Sequence, residues 1–167
     1  VINFGVLYGM SPHGLSAATG MTFTQAKQFI DQYFTLRAPI RQYIDATLEK
    51  ARVEGYVETY FGRRRPTPDI KSRNFMVRQS AERAAANMPI QGTEADLMKR
   101  AMIVVDQMLS DRADQLLQIH DSILVECNES DAEDIANQMR DIMENIAPEL
   151  PIRLRVDVSV GDNWGEA

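Results

Sequence analysis

The chain has 167 residues, enough for one ordinary domain or two small lobes with a core. Hydrophobic residues make up 44% and charged residues 25%, the composition of a soluble globular protein, and no apolar run approaches membrane-spanning length. The single cysteine, Cys127, excludes an internal disulfide, and we expect a cytoplasmic protein with no signal peptide. Because the chain begins Val-Ile-Asn with neither a Met nor a helix cap, we also expect a piece of a longer protein.

The net charge of −6 argues against nucleic acid as a partner if the chain is taken as a whole, but the charge is unevenly distributed. Residues 50–83 hold nine Lys or Arg against four Asp or Glu, a local excess of five positive charges. This basic stripe is the surface that a polyanion would meet. An ordinary solvated face is the alternative, which the three consecutive arginines at residues 63–65 make less attractive.

The first half of the chain is predicted to be mostly helical. Thr22 and Gln25 form a capping box ahead of apolar residues at helical spacing. Pro39 suits the first turn of the next helix, and Gly55 ends that helix. Residues 56–61 then predict a strand, after which the arginines turn the chain.

Two further helices are predicted in the middle of the chain. A polar helix, roughly residues 71–87, should break before Pro89 because proline disfavours helical backbone at the residue before it. A more apolar helix covers about residues 93–109, with one side lined by methionine, alanine, valine and leucine.

Residues 118–126 predict a β-hairpin, with apolar residues on both sides of a break at Asp121-Ser122. A carboxylate at the end of a rigid hairpin can be aimed at a metal ion or a reacting group. Asp is also an ordinary turn residue, and this stretch alone favours that simpler interpretation.

The end of the chain predicts one helix and one strand. Ser130 and Glu133 form a second capping box before an amphipathic helix. Residues 153–160 alternate apolar and polar, so we expect a half-buried strand that pairs with the hairpin. Helices against one face of this antiparallel sheet give an α+β fold class.

Four stretches, in the right order and spacing, resemble motifs of the family A DNA polymerases, the bacterial repair type. Residues 3–11 resemble the second half of the fingers helix, residues 58–65 the arginine-rich hairpin, residues 82–99 the palm helix pair, and residues 118–126 the palm catalytic hairpin. The resemblance implies a helical fingers portion at residues 1–73 and a palm portion at residues 74–167, with the catalytic hairpin at residues 116–127.

The function that this resemblance implies is template-directed addition of deoxynucleotides to a primer 3′-hydroxyl by two-metal phosphoryl transfer. Asp121 would bind Mg²⁺ together with a second Asp outside this chain, and His120 would support the primer terminus. The family usually has Glu where this chain has Ser122, so we expect Asp121 to carry the metal without a neighbouring carboxylate.

Nucleotide and template contacts are expected near the start of the chain. Phe4 and Tyr8 are four residues apart and would share one helix face, with Gly9 among the glycines that leave the rings accessible. By resemblance, the Phe packs on the incoming sugar and the Tyr stacks near the templating base. An aromatic stripe that belongs to the core is the alternative.

DNA contacts are expected from two groups of side chains. Arg83, Asn87 and Gln91 recur every four residues and resemble a row of donors along the primer–template minor groove, although Pro89 should make the last turn irregular; a solvated helix face is the alternative. Arg63, Arg64 and Arg65 would contact phosphates, with one or two of the three engaged.

The expected partners are primer–template DNA, a deoxynucleoside triphosphate and the rest of the parent chain, namely the thumb and the upstream palm. The family's triphosphate-binding Arg and Lys precede the Phe by one and two helical turns and are not in this chain, so we expect this piece alone to be inactive. We expect a cytoplasmic, nucleoid-associated monomer with no membrane partner. A single-subunit RNA polymerase, which shares His-Asp-Ser but differs at Phe4, and a non-catalytic DNA-binding module are the alternatives.

Overall fold

The structure, a computed structural model, describes residues 2–166. The chain divides into two compact units, Val1–Gly92 and Thr93–Ala167. Helices and two small antiparallel sheets build them, which confirms the predicted α+β class. The division falls inside one long helix, whereas the sequence placed it after residue 73, and the assignment of the two pieces to fingers and palm stays a prediction.

The first unit consists of four helices, a small sheet and the first part of the long helix. The elements are α1 (Ile2–Leu7), α2 (Pro12–Thr19), α3 (Phe23–Leu36), α4 (Ala38–Glu54), β1 (Tyr56–Glu58), β2 (Arg64–Pro66), a 3₁₀ turn (Pro68–Lys71) and α5 (Phe75–Leu109). One core cluster contains Val6, Leu15, Ala26 and Tyr33, and a second contains Ala51, Val57, Ile70, Ala85 and Met88.

The local helix signals in this unit are confirmed. Thr22 and Gln25 form the capping box at the start of α3, Pro39 lies in the first turn of α4, and Gly55 ends α4 with a φ of 80°. The predicted strand at residues 56–61 is shorter than expected. It ends at Glu58 because the Gly62 N–H donates to the Thr59 carbonyl at 3.0 Å and closes a turn there.

The predicted break before Pro89 is wrong, since α5 is one helix with Pro89 inside it. A proline removes one helical donor, here the one that would meet the Ala85 carbonyl. Burial on either side of the proline offsets that loss: Ala85 and Met88 are buried before it and Met98 after it. Gly92 also allows the helix to pass close to Thr59, because a Cβ there would lie 2.8 Å from the Thr59 Cγ2.

The second unit packs a hairpin and a helix around the end of α5. The strands are β3 (Ala113–Ile119) and β4 (Ser122–Cys127), which pair antiparallel with an irregularity between Gln115 and Leu117, and the helix is α6 (Ala132–Glu144). The hairpin therefore begins three residues before the predicted range of 116–127. Val105, Leu109 and Ile135 form the core of this unit.

Two predictions in this unit are wrong. The capping box at Ser130 and Glu133 does not form, because a 3₁₀ turn occupies Glu129–Asp131 and α6 has Asp131 as its N-cap, without a side-chain cap. Residues 153–159 keep the predicted alternation of burial, but Val160 is exposed and the segment joins no sheet. The Val156 N–H donates instead to a Glu144 carboxylate oxygen at 3.2 Å. Within residues 2–166, no helix is long and apolar enough to cross a bilayer.

Candidate functional site

The hairpin turn carries His120 and Asp121 at its tip. Ile119 pairs with Ser122, so Ser122 belongs to β4 and the predicted break at Asp121-Ser122 is wrong by one residue. His120 has a φ of 54°, a left-handed backbone that costs a non-glycine residue energy of order 1 kcal/mol. The turn is held from both sides, because the Gln118 amide donates to the His120 carbonyl and the Ser122 hydroxyl to the Ile119 carbonyl.

This turn presents Asp121 and His120 to solvent. Across the described residues, no three His, Cys, Asp or Glu side chains are grouped closely enough to hold a metal ion. Mg²⁺ in proteins is usually bound by one or two carboxylates with water and substrate phosphates filling the remaining positions. Asp121 therefore has the chemistry of one Mg²⁺ ligand and the accessibility to act as one.

The aromatic pair formed by Phe4 on α1 and Tyr8 directly after it faces outward. The Phe4 side chain is 65% exposed and Tyr8 is half-buried, and their rings lie nearly parallel with centroids 6.5 Å apart. Phe4 is therefore not a core residue in this structure. A flat aromatic face open to solvent can stack on a sugar or a base without selecting its sequence.

A glycine cap ends α1 directly after this pair. The Met10 N–H donates to the Gly5 carbonyl at 2.8 Å and the Gly9 N–H to the Val6 carbonyl at 3.1 Å, with Gly9 at a φ of 87°. These two bonds and the left-handed glycine define a Schellman cap. Gly9 therefore has a backbone reason for its place in the sequence, in addition to the nucleotide contact that the resemblance implies.

The predicted polar row lies on α5, and because α5 is continuous the row is regular. Arg83 and Gln91 are exposed and Asn87 is half-buried. Two of the three contact the end of α1. The Asn87 amide donates to the Tyr8 carbonyl at 3.3 Å, and a Cβ on Gly9 would lie 3.2 Å from the Arg83 Cγ.

The structure thus brings together two sets of predicted site residues that are about eighty positions apart in the sequence. No periodicity or local pattern joins residues 8 and 9 to residues 83 and 87, so the sequence alone does not predict this contact. A mostly apolar cavity of about 380 Å³ adjoins it, with Tyr8, Tyr43 and Asn87 among its lining residues.

Ion pairs neutralise part of the basic stripe. Arg64 lies 3.4 Å from the Glu58 carboxylate and 4.4 Å from the centre of the Tyr56 ring. Lys50 bonds to the same carboxylate at 2.5 Å and holds the pKa of Glu58 below its usual value. Arg63 and Arg65 are both exposed.

A second ion pair removes another cation from the stripe. The Arg52 guanidinium donates to Glu82 at 2.8 Å, and this hydrogen bond raises the Arg52 pKa. Most of the local excess of positive charge that the sequence showed is therefore carried by the remaining basic residues, Arg65 among them.

Comparison with known proteins places the chain in a family. The model of DNA polymerase family A matches residues 1–166. The chain is 48% identical over 167 residues to the thermostable DNA polymerase I of Thermus filiformis, and 48% identical over 164 residues to the DNA polymerase I of Deinococcus radiodurans. These alignments cover 99% and 98% of this chain but only 20% and 17% of the two relatives.

A solved structure has the same fold. It is the polymerase domain of Pol1 from M. smegmatis in complex with DNA primer-template and dNTP, which superposes with a TM-score of 0.92 at 40% sequence identity. The match covers 99% of this chain and 30% of that one. On these grounds the chain belongs to DNA polymerase family A.

Proposed function

We propose that this chain is part of a template-directed DNA polymerase that adds deoxynucleotides to a primer 3′-hydroxyl. Family membership across residues 1–166 supports the reaction class, and the primer–template and dNTP in the Pol1 complex support the substrates. One observation carries the proposal for this chain's own residues. Asp121 is exposed to solvent at the tip of the hairpin turn, and the preceding residue, His120, has a strained backbone with a positive φ. Such backbone strain concentrates at functional sites.

Asp121 would hold one Mg²⁺ together with a carboxylate from the rest of the parent polymerase. The bound metal would supply charge neutralisation at the transferring phosphoryl group and activation of the attacking hydroxyl. The hairpin's part is positional, since the Gln118 and Ser122 side chains fix the turn and so fix where the carboxylate points. His120, next to it, would support the primer terminus.

The remaining predicted residues would hold the substrates. Phe4 and Tyr8 would face the incoming nucleotide and the templating base, and the row on α5 would follow the minor groove of the primer–template. Arg63, Arg64 and Arg65 would contact phosphates, which gives a grip that is sensitive to salt and indifferent to sequence. The parent would be a cytoplasmic monomer, with the thumb and the other part of the palm outside this chain.

The test is Asp121→Asn in the full-length parent polymerase, measured by extension of a labelled primer with Mg²⁺ and deoxynucleotides. We expect incorporation to be abolished while the dissociation constant for primer–template stays within a few-fold. Asp114→Asn is the matched control, because Asp114 is an exposed carboxylate on the same hairpin. Near-normal extension by Asp121→Asn would remove Asp121 from the mechanism.

Two further arms of the same experiment separate the alternatives. Ribonucleotides replace deoxynucleotides in one arm, and preferential use of ribonucleotides would favour an RNA polymerase. The 167-residue chain replaces the parent in the other, where we expect no extension. A parent that binds primer–template but extends it under no condition would be a DNA-binding module.

A further inference from the structure

The C-terminal end of α1 leaves backbone carbonyls to be satisfied, as every helix end does. The Schellman cap accounts for the carbonyls of Gly5 and Val6, and the Tyr8 N–H donates to the Phe4 carbonyl at 2.9 Å. The Tyr8 carbonyl lies at the cap itself. Its donor is a side chain from α5, the amide of Asn87, which is 79 residues away in sequence.

The neighbouring contact strengthens the same attachment. Gly9 follows Tyr8 and has a left-handed φ of 87°. The aliphatic part of the Arg83 side chain packs against it, since a Cβ on Gly9 would lie 3.2 Å from the Arg83 Cγ and 3.4 Å from its Cδ. Arg83 and Asn87 are one helical turn apart on α5. Arg83 and Asn87 therefore attach the cap of α1 to α5 through one packing contact and one hydrogen bond.

We propose that Asn87 is a positioning residue for Tyr8 and, through α1, for Phe4. By holding the Tyr8 carbonyl, its amide fixes the C-terminal end of α1, whose exposed aromatic face would meet the nucleotide and the template. This inference rests on the proposed function. It gives Asn87 a role that is already present in the DNA-free protein, beside the minor-groove contact that the row would make.

The surroundings of Tyr8 show why such a restraint is needed. Tyr8 is only half-buried, and the cavity of about 380 Å³ beside it leaves space into which the ring and the end of the helix could shift. Contacts with neighbouring elements must therefore restrain this end of α1, and among the described residues the Asn87 amide is the side chain that donates to the Tyr8 backbone.

The first experiment is hydrogen exchange of the full-length parent polymerase without DNA, followed by mass spectrometry of peptides that cover residues 3–11. The amides of Tyr8, Gly9 and Met10 report the cap, since all three are hydrogen-bonded within it. Asn87→Asp keeps the side-chain shape and removes the donor, and Asn87→Ala removes the side chain. We expect both variants to speed exchange of these amides about five-fold, the effect of losing one neutral hydrogen bond.

Gln91→Ala is the matched control, because Gln91 belongs to the same row one turn further along and has no hydrogen bond to the cap among the described residues. Its exchange at residues 3–11 should match that of the unmodified protein. Unchanged exchange at the cap in both Asn87 variants, or equal acceleration in Gln91→Ala, would overturn the inference. Because this measurement needs no catalysis, its outcome does not depend on the proposed function.

The second experiment connects the cap to the reaction. Single-turnover incorporation on a saturating primer–template gives the nucleotide dissociation constant and the maximal rate separately. Asn87→Asp and Asn87→Ala should weaken nucleotide binding about five-fold, whereas Gln91→Ala should weaken binding of DNA and leave nucleotide binding within about two-fold. Faster exchange at the cap without weaker nucleotide binding would confine Asn87 to a structural role, and a parent that incorporates nothing would instead refute the proposed function.

Discussion

The Ser122 hydroxyl donates to the Ile119 carbonyl, 2.9 Å away, across the turn that carries Asp121. The same two residues form the last pair of the β3–β4 ladder, so the serine closes the turn from inside the hairpin. The residue that follows Asp121 thus contributes a hydrogen bond that holds the turn and no second negative charge beside the carboxylate.

Replacing Ser122 by Ala should therefore destabilise the hairpin. We expect the free energy of unfolding of the 167-residue chain, measured by urea denaturation, to fall by about 1 kcal/mol, the usual net contribution of one hydrogen bond. Ser130→Ala is the control, since Ser130 is an exposed serine outside any ladder, and it should change stability by less than about 0.5 kcal/mol. Equal losses in the two variants would show that the turn does not depend on this bond.

The Lys50–Glu58 pair makes stability depend on pH in acid. Lys50 lowers the pKa of the folded-state Glu58 carboxyl below its usual value, chiefly by its hydrogen bond, and Arg64 lowers it further. A depressed folded-state pKa stabilises the protein above the unfolded-state pKa, and this contribution is lost as the pH falls through the lower folded value. Glu58→Gln should thus flatten the acid limb of the melting-temperature profile.

Melting temperatures of the chain measured from neutral pH down to acid test this. Glu94→Gln, at an exposed carboxylate on α5, should leave the acid limb as steep as in the unmodified chain. The effect of Glu58→Gln should also shrink in high salt, because the pair is at the surface and is screened. An acid limb that is unchanged by Glu58→Gln would mean that the pair contributes nothing to stability.

Local patterns in this sequence predict some of its elements and miss those that depend on tertiary contacts. The capping box at Thr22 was predictable because donor and acceptor are three residues apart and the pattern is complete in the sequence. The continuity of α5 through Pro89 was not predictable, because it depends on the burial of Ala85, Met88 and Met98. The local sequence shows only a proline, which normally interrupts a helix. Tertiary contacts decided that element against its local preference.

The candidate site divides in the same way. The placement of Asp121 at a hairpin tip follows from the apolar residues on either side and was predicted within one residue. The bond from Asn87 to Tyr8 joins two helices that are far apart in the chain, so no spacing rule could supply it. The alternation at residues 153–160 correctly predicted half-buried side chains at Leu154, Val156 and Val158 but not the exposure of Val160. It also failed to predict the pairing, because pairing is a property of two segments.

The three arginines should contribute unequally to DNA binding. Arg65 is exposed and makes no ion pair within residues 2–166, whereas the Arg64 guanidinium already faces Glu58. Each phosphate contact that releases a counterion adds about one to the slope of log affinity against log salt. Arg65→Ala should therefore reduce that slope in the full-length polymerase by about one, and Arg64→Ala by clearly less.

Fluorescence anisotropy with a labelled primer–template at several salt concentrations gives both slopes. Adding Glu58→Gln provides the internal control, because it releases Arg64 from its carboxylate. In the Glu58→Gln background, Arg64→Ala should reduce the slope of log affinity against log salt by as much as Arg65→Ala does in the unmodified protein. A larger slope change for Arg64→Ala than for Arg65→Ala, without Glu58→Gln, would contradict the assignment.

Gly9 and Gly20 provide a matched pair for the cap of α1. Both end a helix in the left-handed region, with φ values of 87° and 75°, but a Cβ at Gly20 would meet nothing within 4 Å, whereas one at Gly9 would meet Arg83. Gly20→Ala should lower the free energy of unfolding of the chain by about 1 kcal/mol, the cost of left-handed backbone alone. Gly9→Ala should cost measurably more, and urea denaturation of the two variants compares them directly.

The additional loss of unfolding free energy in Gly9→Ala, compared with Gly20→Ala, should come from the contact with Arg83 and not from the backbone conformation. In an Arg83→Ala background the stem that a Cβ would strike is gone, so Gly9→Ala should then cost about as much as Gly20→Ala. This double-mutant cycle isolates the pairwise free energy, because φ is common to both backgrounds and cancels. If the additional cost of Gly9→Ala persists without the Arg83 side chain, the contact between Arg83 and Gly9 does not contribute to the attachment of the cap to α5, and that attachment would rest on the Asn87 bond.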